Sequence, residues 1–161
     1  SERLTLLVRR LLELARADKG EDEATGTDVA SLAQLLDDRT AMKVVVNDPD
    51  QIALKISEEK LAIILTNMVD NSARHGASEL TVTVRRKGAE AEITVADQGE
   101  GVSSRNVARL FEPSFTTARN EGGTGMRLPI IQALLVALDG SIEFVGGKGG
   151  AVFLVRLEVV G

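Results

Sequence analysis

The sequence predicts an α/β (α+β) two-layer sandwich, in which a mixed sheet of about five strands carries three helices on one face, preceded by one bundle-type helix. Alternating apolar and polar residues predict two neighbouring strands at 80–84 and 91–95. Apolar residues at helical spacing predict an amphipathic helix over 61–76, which Gly76 would end. Together, the two kinds of periodicity indicate a sheet that is covered by helices.

The composition narrows the class of protein. A chain of 161 residues can form one domain with a real core, and four Phe without Trp or Tyr predict that this core is aliphatic. The net charge of -5 argues against a nucleic-acid partner, and the absence of Cys excludes disulfides and Cys-based zinc sites. No apolar run approaches the roughly 20 residues that cross a bilayer and no signal peptide is visible, so we expect a cytoplasmic location without direct membrane contact.

The remaining elements follow from the same periodicities. A heptad-like helix is predicted at 2–18, and further helices at 29–39, 103–110 and 126–138. Strands are predicted at 42–47, 52–57, 141–145 and 151–159. The polar stretch at 19–27 indicates a linker, so we expect two units, a bundle helix at 1–19 and a separate domain at 28–160.

The 61–76 helix carries a polar stripe formed by Asn67, Asp70, Asn71 and Arg74. Asn is a mediocre helix former, because its side chain competes for backbone hydrogen bonds. Two Asn residues in one helix therefore suggest a stripe that faces a polar ligand. An Asn oxygen can bind a hard cation and Arg can bind phosphate, although a solvated polar face explains the stripe equally well.

A carboxylate ends the strand predicted at 91–95. With a period of two, Asp97 lies on the same side as Ile93 and Val95, where an unpaired carboxylate is costly. It opens an Asp-x-Gly-x-Gly loop, in which Gly99 and Gly101 would let the backbone approach a ligand closely. An ordinary turn or cap gives the same short pattern.

Two Phe residues and a second glycine turn follow. Phe111 and Phe115 flank Glu-Pro-Ser, and the polar, glycine-rich stretch at 116–125 suggests a mobile lid. The turn at 122–125 leads into an apolar helix. A glycine turn at a helix N-terminus can bind an anion, because free N–H groups and the helix dipole point to it.

The order and spacing of these four motifs resemble the catalytic ATP-binding domain of sensor histidine kinases, in the ATPase superfamily shared with gyrase and MutL. The resemblance covers roughly residues 28–160. The 2–18 helix looks like the second helix of the dimerisation and phosphoacceptor bundle that precedes this domain in the family.

The resemblance implies roles for the polar stripe of the 61–76 helix. Asn71 would coordinate the Mg²⁺ that bridges the ATP phosphates, with Asn67 beside it. Arg74 and His75 would lie near the phosphates and, with Asn71, form the catalytic set. For His75, a packed neutral side chain at the edge of the apolar stripe is an equal alternative.

The resemblance also implies contacts to the base and to the lid. Asp97 would accept a hydrogen bond from the adenine amino group, and Gly99 and Gly101 would pass close to the base. Phe111 and Phe115 would anchor the ATP lid. The other implied cofactor-binding positions form the second glycine turn, which would wrap the phosphates: Gly123, Thr124, Gly125 and Arg127.

Three features depart from the family pattern. Arg127 stands where the family has Gly, and its bulk could block ATP or its charge could bind a phosphate. Ala151 stands where the family often has a Thr near the adenine, so one polar contact would be missing. The family phosphorylates a His on the first bundle helix, and the only His here is His75, so the acceptor must lie outside this chain.

The sequence is therefore interpreted as a histidine kinase catalytic fragment that binds ATP and Mg²⁺. The implied partners are the phosphoacceptor domain of the same protein and a response regulator, and the full-length protein is expected to be a homodimer. It would be the cytoplasmic part of a membrane-bound sensor or a cytoplasmic protein. The alternatives are a scaffold with an ATP site disabled by Arg127, or a serine kinase of the anti-sigma-factor type, against which the heptad-like helix argues. A gyrase- or MutL-like ATPase fits less well, because the chain is short and acidic.

Overall fold

A computed structural model describes residues 26–32, 42–99, 110–111, 127–146 and 150–160. In chain order, the elements are β1 (Lys43–Asn47), α1 (Glu58–Arg74), β2 (Glu79–Lys87), β3 (Glu90–Asp97), α2 (Arg127–Ala137), β4 (Ser141–Phe144) and β5 (Val152–Glu158). The predicted 2–18 helix and most of the predicted linker lie outside the described residues, and so does the 103–110 helix except for its last residue. Of the predicted 29–39 helix, residues 30–32 are described and are helical.

The strands form one five-stranded mixed sheet in the order β1-β2-β3-β5-β4. The β1 strand runs parallel to β2, whereas the other neighbouring pairs are antiparallel. In the β2–β3 hairpin, Val82 lies opposite Val95 and Leu80 lies opposite Asp97. The sheet and its helices confirm the predicted α/β class.

The two faces of the sheet differ in polarity. Alternate residues of β2, β3 and β5 are buried in one apolar cluster with residues of α1 and α2, among them Val82, Ile93 and Val155. The opposite face carries charge, since Arg156 of β5 reaches Glu92 of β3 at 3.6 Å and Glu143 of β4 at 3.1 Å. This division places α1 and α2 on the buried side, which is the two-layer arrangement.

The stretch at 52–57, which was predicted as a strand, does not form one, although its side chains do alternate between buried and more exposed positions up to Ile56. Ile52, Leu54 and Ile56 are all buried, as the pattern requires. Only Leu54 forms a bridge, and it pairs with Thr27 on one side and Val159 on the other. Period-two alternation reports which side chains face the core, but a ladder also needs a partner strand that continues, and here each partner offers one residue.

The α1 helix has a complete N-terminal cap. Ser57 has extended backbone angles and its hydroxyl oxygen accepts a hydrogen bond from the Lys60 N–H at 3.2 Å. Glu58 and Glu59 occupy the first turn, where negative charge favours the positive end of the helix dipole. The cap fixes where α1 begins.

Candidate functional site

The polar stripe of α1 contains two Asn residues in different situations. Both are half-buried. The Asn67 amide donates to the Ile63 carbonyl oxygen of the preceding turn at 2.8 Å, so its nitrogen is used within the helix. No side-chain hydrogen bond joins Asn71 to another described residue. Of the two, Asn71 is the one whose amide is available to a ligand.

The C-terminal end of α1 is closed by its own backbone. His75 is the C-cap residue, and its N–H donates to the Ser72 carbonyl oxygen at 3.1 Å. Gly76 follows with φ of +83°, a conformation that glycine adopts without steric cost. The side chains of Arg74 and His75 are both half-buried. The sequence prediction that Gly76 ends this helix is confirmed.

Asp97, the last residue of β3, lies on the helix-covered side of the sheet. It stands opposite the buried Leu80 in the β2–β3 register, so the two side chains share a face. Its Oδ1 accepts hydrogen bonds from the N–H groups of Gly99 and Ala151, each at 3.0 Å. Among the described residues, Oδ2 has no hydrogen-bond partner. The carboxylate is thus oriented through one oxygen, and the other remains a free acceptor.

The loop after Asp97 packs against the end of α1. A Cβ added to Gly99 would lie 2.5 Å from the His75 carbonyl oxygen and 3.2 Å from the Ala77 nitrogen. On the other side, the Gln98 amide lies 3.1 Å from the Ser78 hydroxyl and also contacts the Glu79 backbone. The structure therefore brings the Asp97 loop and the last turn of the Asn-bearing helix together.

Phe111 and the start of α2, at Arg127, are the two further parts of the predicted site that the structure describes. The Phe111 ring meets the buried Phe153 ring edge-on, with 6.4 Å between centroids. Phe153 lies opposite Val95 in the β3–β5 register, two residues before Asp97. Arg127 is the first residue of α2, which packs against α1. Phe111 is thereby anchored to the strand pair that carries Asp97.

Five predicted site residues lie outside the described ranges: Gly101, Phe115, Gly123, Thr124 and Gly125. Their roles, and the phosphate-binding turn to which three of them belong, stay predictions. The side chain of Arg127 also lies outside what the structure describes. The described part of the site therefore consists of the stripe of α1, the Asp97 loop and Phe111.

The described residues offer no metal site built from protein ligands alone. No group of three or more acidic, His or Cys side chains stands close enough together in this part of the chain to hold an ion. A single Asn oxygen fits Mg²⁺ only if other oxygens complete the shell, because Mg²⁺ prefers six oxygen ligands and keeps several waters. Asn71, with its amide uncommitted, fits the role of one such ligand beside phosphate oxygens.

Sequence reasoning missed Gly150 and the backbone N–H of Ala151. Gly150 is buried beside Asp97, and its Cβ, if present, would lie 1.9 Å from the Asp97 carbonyl oxygen. The run of four glycines and a lysine at 146–150 is the sequence signal for this contact. That run indicates a turn, but it does not identify the residue against which the turn packs.

Comparison with known proteins identifies the class. Residues 56–160 match the family model described as histidine kinase-, DNA gyrase B- and HSP90-like ATPase. This match includes α1, the Asp97 loop and all strands except β1. The chain belongs to this ATPase family, and the resemblance to the catalytic ATP-binding domain of sensor histidine kinases is confirmed.

Two relatives of the chain are named as histidine kinases. The chain is 30% identical to the signal transduction histidine-protein kinase AfsQ2 of Streptomyces coelicolor over 98% of its own length and 31% of that protein. It is 28% identical to the sensor-like histidine kinase SenX3 of Mycobacterium tuberculosis, over 99% of this chain and 43% of SenX3. The chain thus spans less than half the length of the curated relatives it matches.

Solved structures support the fold. Full-length ShkA in complex with AMPPNP superimposes with a TM-score of 0.72 at 21% identity, over 99% of this chain and 36% of ShkA. The nucleotide-free catalytic domain of the histidine kinase ThkA gives a TM-score of 0.72 at 16% identity, over 84% of this chain and 95% of that domain. Within the described ranges, no helix combines the length and apolar character needed to cross a membrane.

Proposed function

We propose that this chain is the Mg-ATP-binding catalytic part of a two-component sensor histidine kinase, extending over residues 28–160 and preceded at 1–19 by the end of a helical bundle. The observation that carries the proposal is the placement of Asp97. A half-buried carboxylate ends a core strand on the helix-covered face, with one oxygen held by two backbone N–H groups and the other without a partner among the described residues. A free acceptor at that position suits the amino group of adenine.

The residues of α1 act at the other end of the nucleotide. Asn71 contributes an amide oxygen that no described residue engages, and Arg74 stands one turn further along the helix. Bound Mg²⁺ supplies charge neutralisation on the phosphates, and Asn71 would hold it there. Arg74 would add positive charge near the phosphates, and the glycine turn at 122–125 would add N–H donors there.

Phosphoryl transfer needs positioning more than covalent chemistry from the protein. The chain would present the γ-phosphoryl group to a His on a bundle helix outside this sequence, because its only His is the C-cap of α1. The phosphoacceptor domain of the same protein is thus the first partner, and a response regulator is the second. The whole protein would act as a homodimer on the cytoplasmic side of a membrane or in the cytoplasm.

Titration calorimetry with Mg-ATP tests this proposal on the chain as it stands. We expect measurable binding, at least tenfold weaker binding by Asp97→Ala, and weaker binding by Asn71→Ala that depends less on Mg²⁺ than in the unmodified chain. Glu143→Ala, on the open face of the sheet, is the matched control and should bind as the unmodified chain does. Absence of binding by every variant would refute the proposal.

Arg127→Gly, measured in parallel, decides between a working site and a disabled one. Arg127 begins α2, at the position where the family has Gly. Equal binding by the chain and the variant shows that the arginine is tolerated. Binding by Arg127→Gly alone assigns the chain to the alternative function, a scaffold that keeps the fold with an ATP site closed by this side chain.

A further inference from the structure

Asp97 and the segment before β5 are joined in two directions. The Asp97 N–H donates to the Ala151 carbonyl oxygen at 3.0 Å, and the Ala151 N–H donates to Asp97 Oδ1 at 3.0 Å. The backbone and the carboxylate of Asp97 are thus bound to the same residue. Ala151 is itself buried, with 5% of its surface exposed, so water does not compete freely for this N–H.

Gly150 makes this reciprocal contact possible. A Cβ at Gly150 would lie 1.9 Å from the Asp97 carbonyl oxygen, 2.8 Å from its carbonyl carbon and 3.1 Å from the Gln98 Cα. All three atoms belong to backbone, which cannot rotate away as the end of a flexible side chain can. Any side chain at Gly150 must therefore separate the 150–151 segment from Asp97 and lengthen or break the Ala151 hydrogen bond.

We propose that Gly150 and the Ala151 N–H are positioning elements that hold the Asp97 carboxylate toward the nucleotide base and set the discrimination between 6-amino and 6-oxo purines. The inference rests on the proposed function. With Oδ1 bound to two N–H donors, Oδ2 is fixed in place as an acceptor. An acceptor in a fixed position binds the 6-amino group and repels a 6-oxo oxygen, whereas a carboxylate free to rotate can avoid that repulsion.

Because Ala151 has no hydroxyl group, its backbone N–H contributes more to the orientation of the Asp97 carboxylate than it would in a residue with a hydroxyl side chain. A Thr at this position would add a second polar group near the carboxylate. With Ala151, the donors to Asp97 in the described structure are both main-chain groups, at Gly99 and at Ala151. Base selection would therefore depend on local backbone geometry and would be sensitive to a single methyl group at Gly150.

The test compares binding of Mg-ATP and of magnesium inosine triphosphate, which differ at purine position 6, by calorimetry. We expect the unmodified chain to prefer ATP by at least about tenfold, since a hydrogen bond to a charged group is replaced by repulsion. Gly150→Ala should weaken ATP binding at least about tenfold and inosine triphosphate binding less than about threefold, so that the preference nearly disappears. A general loss of stability would weaken the binding of both nucleotides equally.

Gly88→Ala is the matched control. Gly88 lies at the tip of the β2–β3 hairpin with φ of +67° and open space around it, so Ala there strains the backbone without touching Asp97. This variant should lose stability and keep the full preference for ATP. If Gly150→Ala fails to fold, replacing Ala151 by lactic acid, which substitutes an ester for the amide, deletes the N–H donor with little change of shape and should reduce the preference.

The outcomes separate the inference from the function on which it rests. Failure of the unmodified chain to bind ATP refutes the proposed function, and the inference with it. Binding by the unmodified chain, with the same preference for ATP in Gly150→Ala or in the ester variant, refutes the positioning role alone. Loss of the preference in either variant but not in Gly88→Ala supports the inference.

Discussion

The α-carbon of Gly99 lies against the carbonyl oxygen of His75, so closely that a Cβ at Gly99 would come within 2.5 Å of that oxygen. The contact joins the loop after β3 to the end of α1, and these two segments carry the proposed base contact and the proposed phosphate contacts. The distance between the two ends of the site is therefore set partly by the absence of one side chain.

Gly99→Ala should reduce Mg-ATP affinity by about tenfold or more, because the Cβ must push the loop away from α1 and misplace Asp97. Calorimetry measures the affinity, and thermal unfolding measures the accompanying loss of stability. Gly146→Ala, at φ of +87° with no atom within 4 Å of the added Cβ, is the control and should lose stability without losing affinity. Equal ATP binding by Gly99→Ala and the unmodified chain would contradict the role of this contact.

Asp48, directly after β1, is a buried carboxylate with an unpaired oxygen. It is 8% exposed, its Oδ1 accepts from the Ile52 N–H at 3.2 Å, and its Oδ2 has no partner in the described part of the chain. Burial raises the pKa of Asp48, the Ile52 N–H lowers it, and the negative charges of Asp28 and Asp50 raise it further. The net direction is upward, so the folded protein binds this proton more tightly than the unfolded chain.

Asp48→Asn should therefore stabilise the fold at pH 7, by on the order of 1 kcal/mol, because the ionised carboxylate is removed and the acceptor for Ile52 is kept. The stability that a raised pKa contributes is fully present below the unfolded value of about 3.9 and is lost as the pH rises through the folded value. The advantage of the Asn variant should thus shrink as the pH falls from 7 toward 4. Denaturant unfolding across this range measures the difference, with Glu90→Gln as control, because Glu90 is exposed and does not act on Asp48. A difference that does not change with pH would contradict this account.

Ser57→Ala should destabilise the domain by about 1 kcal/mol, which lowers the melting temperature by about 2–4 °C in a domain of this size. The substitution removes the oxygen that accepts from the Lys60 N–H in the buried first turn of the helix. Ser57→Asp restores an acceptor and should recover most of the loss. Equal melting temperatures of the Ala and Asp variants would contradict the role of Ser57 as the N-cap.

The charged contacts on the open face of the sheet should contribute little. Arg156 reaches Glu92 and Glu143, but 37% of its side chain is exposed and salt screens such pairs. Arg156→Ala should cost less than about 1 kcal/mol, and less again in 1 M salt. Lys55→Ala removes a more exposed pair with Glu158 and should cost no more. A loss above about 2 kcal/mol for Arg156→Ala would show that its packed stem, rather than its charge, stabilises the sheet.

Local patterns predicted much of this molecule. The end of α1 followed from Gly76, which acts within one turn of the helix. The inward position of Asp97 followed from the period of its own strand, and the register opposite Leu80 agrees with it. Features decided by neighbours in the sequence were within reach of sequence reasoning.

Contacts between segments that are far apart in the sequence could not be predicted in this way. The packing of Gly150 against Asp97 and of Gly99 against His75 depends on which strands become neighbours, and no local pattern specifies that. The 52–57 segment shows the same limit. Its alternation identified the buried residues, but it did not identify the partners of Leu54, which come from both ends of the described chain. The unpaired oxygen of Asp48 likewise becomes visible only once the core has closed around it.

Thr27 and Val159 both pair with Leu54, and the Val160 N–H donates to the Ala53 carbonyl oxygen at 2.9 Å. Gly26 lies against Val160 and Ala53, so the chain enters the domain through a tight fit. The 26–27 segment is therefore tied by short hydrogen-bonded bridges to two stretches that are far apart in the sequence, and a displacement of Gly26 would strain the 53–54 segment and the end of β5 together.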